Sequence, residues 1–280
     1  MTTRRWVHAL LALLTLAFPA RGQAQDPTAV RGGWLADVDG VRHILYLVAR
    51  NDTLTGVYCT RCDAPDTLAF VQDGTLGAGA VRFTLQHQPD GAPAFREAVE
   101  GSLVEGALQL TFRRAGTRGP GRTVRLHRPV HVPRPARQRR VAQGPAYVPP
   151  GPPEPIAEQD VLGLWLAFTG PQKQYFMFRR VGSRVLGLVC GPCDDPQAMA
   201  PLDHVAIEGT TLRFHIVHED NGVGFDDYGP FDNVATATIA RHEMHISVLP
   251  SYDLQAAPVE MTMVGPVATR PGRAARSARR

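Results

Sequence analysis

WLADVDGVRHILYLVA, Trp34 to Ala49, decides the fold. Two runs rich in apolar, β-branched and aromatic residues flank Asp39-Gly40, a dipeptide favoured in two-residue hairpin turns. The stretch therefore reads as a β-hairpin. Further strand-like runs follow it: TLTGVYC, TLAFVQ, VRFTLQH, AFREAVEGSLV, ALQLTF and TVRLHRP. Val81, Phe83 and Leu85 alternate with Arg82 and Thr84, and Leu108 and Leu110 alternate with Gln109 and Thr111. Period-two alternation marks strands with one apolar face. Turn signals recur often enough for an all-β barrel or sandwich, and no long amphipathic helix is evident.

The hairpin begins a repeat. With a shift of 131 residues, Gly32, Trp34, Leu35 and Ala36 fall on Gly163, Trp165, Leu166 and Ala167. Gly56 falls on Gly187, and Cys59-x-x-Cys62-Asp63-x-Pro65 falls on Cys190-x-x-Cys193-Asp194-x-Pro196. Arg82-Phe83 and His87 fall on Arg213-Phe214 and His218 without a gap. Two copies of about a hundred residues are tandem domains rather than a solenoid.

A meander of seven or eight short strands led by Gly32-x-Trp34, and again by Gly163-x-Trp165, resembles the calycin barrels, which include the lipocalins. The resemblance implies an all-β chain of two tandem antiparallel up-and-down barrels. It also implies that the tryptophan closes one barrel end, with an arginine from the last strand packed over it. Arg125 and Arg128 are the candidates in the first domain, and the second domain, ending VEMTMVGP, offers none. The lipocalin Thr-Asp-Tyr motif is absent from both copies. Each domain is small for a lipocalin, so the expectation is an interior filled by side chains.

The N-terminus has the form of a secretory signal. Arg4 and Arg5 precede an apolar run from Trp6 to Phe18, and Gly22-Gln23-Ala24 suits a cleavage site. The run is short for a membrane span, and no later apolar segment is long enough to be one. The expected organisation is a signal peptide at 1–24, barrel repeats at 25–128 and 160–266, a Pro/Arg-rich linker at 129–159 and a basic tail at 267–280. The expected location is periplasmic or extracellular. Removing Arg4, Arg5 and Arg21 leaves 27 basic against 26 acidic residues, so the charge balance does not mark a specific nucleic-acid binder. The Arg-rich linker and tail instead raise contact with a polyanion or an anionic envelope component as one reading.

LVCGPCDDP, Leu188 to Pro196, contains the CGPC string of thioredoxin-like oxidoreductases. That chemistry uses a cysteine at a helix N-terminus following a strand. Here Asp194, Asp195 and Pro196 follow the motif, and carboxylates raise thiol pKa values. The homologous loop is CTRCDAP. Local disulfides Cys59–Cys62 and Cys190–Cys193 suit export, while a shared four-cysteine zinc site would require the barrels to dock. Both remain open at this level, as does thiol–disulfide exchange through Cys190 and Cys193.

Other constellations are sparser. His215 and His245 are metal candidates if their strands adjoin, although their spacing is no metal motif. EDNGVGFDD lacks EF-hand spacing, and Asn221-Gly222 reads as a hairpin turn. No catalytic residue set stands out. The sequence points to an exported, non-enzymatic binding or structural protein, with no cofactor or with zinc, and a small apolar ligand or envelope component as partner.

Overall fold

The structure, a computed structural model, describes residues 27–77, 80–89, 91–130, 152–169, 172–219, 231–240, 242–251, 255 and 257–266. The expected signal peptide, most of the expected linker, the hairpin turn expected at Asn221-Gly222 and the expected basic tail lie outside them. Eight strands form the first unit: β1 (Gly32–Val38), β2 (Val41–Arg50), β3 (Thr53–Cys59), β4 (Ala69–Gly77), β5 (Ala80–His87), β6 (Phe95–Val104), β7 (Ala107–Arg114) and β8 (Arg122–Leu126). Each pairs antiparallel with the next. The sheet curls until Leu35 meets His127, each donating its amide to the other's carbonyl at 2.9 and 2.8 Å. The barrel is thus nearly closed.

A short helix, α1 (Glu158–Val161), leads into β9 (Gly163–Thr169) and the second unit. Its other strands are β10 (Gln172–Val181), β11 (Arg184–Cys190), β12 (Met199–Glu208), β13 (Thr211–His218), β14 (Phe231–Ala240), β15 (Glu243–Leu249) and β16 (Val259–Val264). This barrel closes fully, with Met263 and Val264 of β16 opposite Ala167 and Leu166 of β9.

Local chemistry explains several repeated positions. Asp39 and Gly40 both take positive φ, 51° and 74°, as a type I′ turn demands. Asp73 and His204 occupy matching bulges in β4 and β12, each at φ 52°. A Cβ at Gly56 would lie 2.0 Å from the Tyr46 carbonyl, and one at Gly187 would lie 2.4 Å from that of Met177. The repeated glycine is therefore where two strands approach too closely for any side chain.

Both interiors are filled. Trp34, Leu45, Leu47, Leu85, Leu108, Leu110 and Phe112 pack in the first barrel, and Trp165, Phe176, Phe178, Phe214, Met244 and Ile246 in the second. A third cluster joins the two. On β2, Leu45 and Leu47 point inward while Ile44, Tyr46 and Val48 point to the other barrel. Val57, Cys59, Cys62, Leu68 and Phe70 extend this outer face, and Met177, Leu188, Cys190 and Met199 meet it from the second barrel. Tyr46 and Met177, Val57 and Leu188, Cys59 and Cys190, and Leu68 and Met199 are repeat equivalents, 131 residues apart. The same patch on each copy is used, which is the signature of an isologous, pseudo-twofold contact.

The Asp-x-Pro of each loop is part of this contact. Pro65 and Pro196 start 3-10 turns (Pro65–Thr67 and Pro196–Ala198) and are both buried. The first turn packs on β10 and the second on β1 and β2. A Cβ on Gly33 would come within 2.7 Å of Pro196 Cβ, so this glycine makes room for the opposite barrel's proline. At the other end of the interface Glu219 is enclosed. Its side chain is inaccessible to solvent, it ion-pairs with Arg50, and Arg31 lies 3.8 Å away. Its amide donates to the Tyr46 hydroxyl at 3.0 Å. Burial pushes the Glu219 carboxyl upward, opposed by Arg50 and Arg31.

Candidate functional site: paired loops, sealed ends and an open barrel mouth

The CxxC pairs are local disulfides, Cys59–Cys62 with Cα atoms 5.2 Å apart and Cys190–Cys193 with 5.1 Å. Each first cysteine ends a strand. The chain then turns, and a 3-10 turn rather than an α-helix follows. In the first loop Thr67 Oγ1 donates to the Arg61 carbonyl at 2.5 Å. In the second, the Asp195 carboxylate accepts from the Gln197 amide at 3.0 Å. Neither cysteine pair sits at the N-terminus of a helix whose dipole would favour a thiolate.

The two loops face each other. Cys59 and Cys190 are fully buried, and Cys190 Sγ lies 3.7 Å from the Cys62 carbonyl oxygen. Cys62 and Cys193 line a common cleft of about 520 Å³. Its walls are six repeat pairs: Arg42 and Lys173, Ile44 and Tyr175, Thr60 and Gly191, Arg61 and Pro192, Cys62 and Cys193, Asp63 and Asp194. The docking that a shared metal site would require is present, but the sulfurs are bonded in pairs. Among the described residues no group of three or more His, Cys, Asp or Glu side chains is arranged to hold a metal ion.

The tryptophans seal the opposite barrel ends. Trp34 Nε1 donates to the Val30 carbonyl and Trp165 Nε1 to that of Val161, both at 2.8 Å. Arg128 lies over the Trp34 ring at 3.9 Å. It also donates to the carbonyls of Gly33 and Ala29, at 3.2 and 2.9 Å. Burial pulls its pKa down to about 10, so it stays charged at neutral pH. Arg125, the other sequence candidate, points outward to Glu105 at 3.0 Å. Over Trp165 the backbone does the covering: a Cβ on Gly265 would touch the indole at 3.0 Å.

The first barrel's other end is open and polar. His43, Tyr58, His87, Glu97 and Arg122 surround a cavity of about 360 Å³. His43 is 2% exposed, and its Nδ1 lies 2.6 Å from the Tyr58 hydroxyl. Arg122 reaches His43 Nε2 and the Tyr58 oxygen, each at 3.4 Å. Arg122 can only donate, which assigns the His43 proton to Nδ1 and makes Tyr58 an acceptor from both. The Tyr58 hydroxyl proton is then left for a further acceptor. Burial, then the Arg122 charge, pushes the His43 pKa down. Burial raises that of Tyr58.

Across the mouth, His87 Nε2 is 2.8 Å from Glu97, and this hydrogen bond is the main cause of the lowered Glu97 pKa. His87 stacks on Phe95 at 4.3 Å, while Arg122 and Arg114 lie over Phe112 and Phe95 at 5.0 and 4.4 Å. Among the described residues no carboxylate is within ion-pair distance of Arg122. The mouth therefore combines the Arg122 guanidinium with the rings of His43, Tyr58 and His87, and the carboxylates of Glu97 and Asp39 also line it. In the second barrel His218 stacks on Phe231 at 4.6 Å, but Gln174 and Val189 replace His43 and Tyr58. The polar set is not duplicated.

These mouth residues belong to no motif, but they carry a signal in the sequence. His43, His87, Glu97 and Arg122 continue the inward alternation of Leu45, Leu85, Val99 and Val124. A period-two reading extended by two residues places them inside. The histidine candidates fare differently. His215 stands beside His204, with ring centres 4.9 Å apart. His215 pairs with Val234, which pairs with Leu249, whereas His245 pairs with Thr238. His245 thus lies four positions along β15 from Leu249, the residue level with His215. No family model matches this chain, and neither a curated protein nor a solved structure matches it.

Proposed function

We propose that this chain is an exported, non-enzymatic binding protein of calycin type, whose first barrel takes a small organic anion in its mouth. The observation that carries the proposal is the convergence of Arg122, His43, Tyr58 and His87 on an open cavity at the end of an otherwise filled barrel. The volume lies at the lower end of the range of small-molecule sites, and aromatic walls with a few directed polar groups are their usual chemistry. The calycin reading draws on the eight-strand meander, the Gly-x-Trp at each first strand and Arg128 over Trp34. Export draws on the N-terminal signal form and on two disulfides. Among the described residues no helix is long and apolar enough to cross a membrane.

The probe of choice is 8-anilinonaphthalene-1-sulfonate, an aromatic anion whose fluorescence rises on apolar contact. One saturable site per chain is expected. Arg122→Met should weaken it roughly tenfold, about 1.4 kcal/mol, while Arg125→Met on the outer surface leaves it unchanged. A titration without a saturable phase, or one insensitive to Arg122→Met, contradicts the proposal.

A further inference from the structure

The cleft between the CxxC loops is a second cavity, lined by a different set of charged groups from the barrel mouth. Its pseudo-twofold symmetry would give two equivalent ion pairs across the interface, Arg42 with Asp194 and Lys173 with Asp63. Only the first is made: Arg42 Nη1 lies 3.9 Å from Asp194, and its guanidinium is also held by Asp37 at 3.0 and 3.3 Å. In the second barrel the position equivalent to Asp37 is Phe168, so Lys173 lacks the same-barrel acid. Among the described residues neither Lys173 nor Asp63 has an ion-pair partner within 4.0 Å. Both are exposed, and both line the same cavity. The lining of the cavity also includes the apolar side chains of Ile44 and Tyr175 and the disulfide-bonded Cys62 and Cys193.

We propose that this cleft binds a small zwitterion, an α-amino acid with a large apolar side chain, its carboxylate on Lys173 and its ammonium on Asp63. Of the charged groups lining the cavity, Arg42 and Asp194 pair with each other and Arg61 pairs with Asp66, which leaves one unpaired cation and one unpaired anion, and a ligand carrying both charges completes the missing half of the symmetric pair. A simple anion leaves Asp63 opposed to it, and a simple cation leaves Lys173 so. The apolar wall favours leucine, methionine or phenylalanine over glycine. Thioether or aromatic contact with the disulfide and Tyr175 adds to that preference.

Calorimetric titration of the full oxidised protein with leucine, methionine and phenylalanine tests the proposal. At least one should bind one-to-one. N-acetylphenylalanine and phenylalanine amide, each lacking one charge, should bind at least tenfold more weakly than phenylalanine itself. Asp63→Asn and Lys173→Met, both at exposed positions, should each reduce affinity about tenfold. Arg122→Met should leave binding intact, which separates this site from the barrel mouth. Absence of binding by all three amino acids overturns the proposal. So does equal binding of the capped analogues, or affinity unchanged by both variants.

Discussion

Leu188→Asp should separate the two barrels. Leu188 is fully buried, yet it faces the other barrel rather than the interior of its own. An aspartate there places an unpaired carboxylate in an apolar contact, a change of the class that costs about 3–5 kcal/mol. The filled interior around Trp165 is untouched by the change. The expected result is a larger radius of gyration by small-angle scattering with β-sheet circular dichroism retained. Denaturant unfolding should shift to lower concentration. An unchanged radius and an unchanged midpoint would show that the outer face of β11 is not an interface.

Arg128→Ala carries the second large effect. Its guanidinium lies on Trp34 and bonds two carbonyls. Loss of a partly desolvated cation–π contact and two charged hydrogen bonds costs roughly 2–4 kcal/mol. Arg125→Ala removes only an exposed pair with Glu105 and should cost about 1 kcal/mol or less. Urea unfolding followed by tryptophan emission distinguishes the two. Equal stability of both variants contradicts a sealing role for Arg128.

Arg128 was legible as one of two choices, because the Gly-x-Trp resemblance demanded a partner for Trp34. The hairpin at Asp39-Gly40 and the duplicated barrels were legible too, since turn chemistry and alternation are local properties, whereas local disulfides were one of three readings that the CxxC spacing left open. Docking was harder to see. Its signal was present in Ile44 to Ala49, an apolar run without alternation, buried along both faces of β2. A strand in a barrel with one solvated side does not need this. The CxxCDxP motif carries an obvious sulfur signal, whereas its proline is what packs against the outside of the opposite barrel. The His215–His245 idea needed strand register, which neither histidine's local sequence contains. The barrel mouth needed closure of the sheet, because His43 and Arg122 are 79 residues apart.

Face-to-face docking of the paired loops is the claim on which the interface and the cleft both rest. Lys173 is the only lysine in the chain, so a zero-length carbodiimide cross-link from a lysine has a single origin. The account predicts an amide between Lys173 and a carboxylate of the first barrel's CxxCD loop, Asp63 foremost, found by peptide mapping of the monomer. Cross-links from Lys173 confined to acids of the second barrel would contradict it.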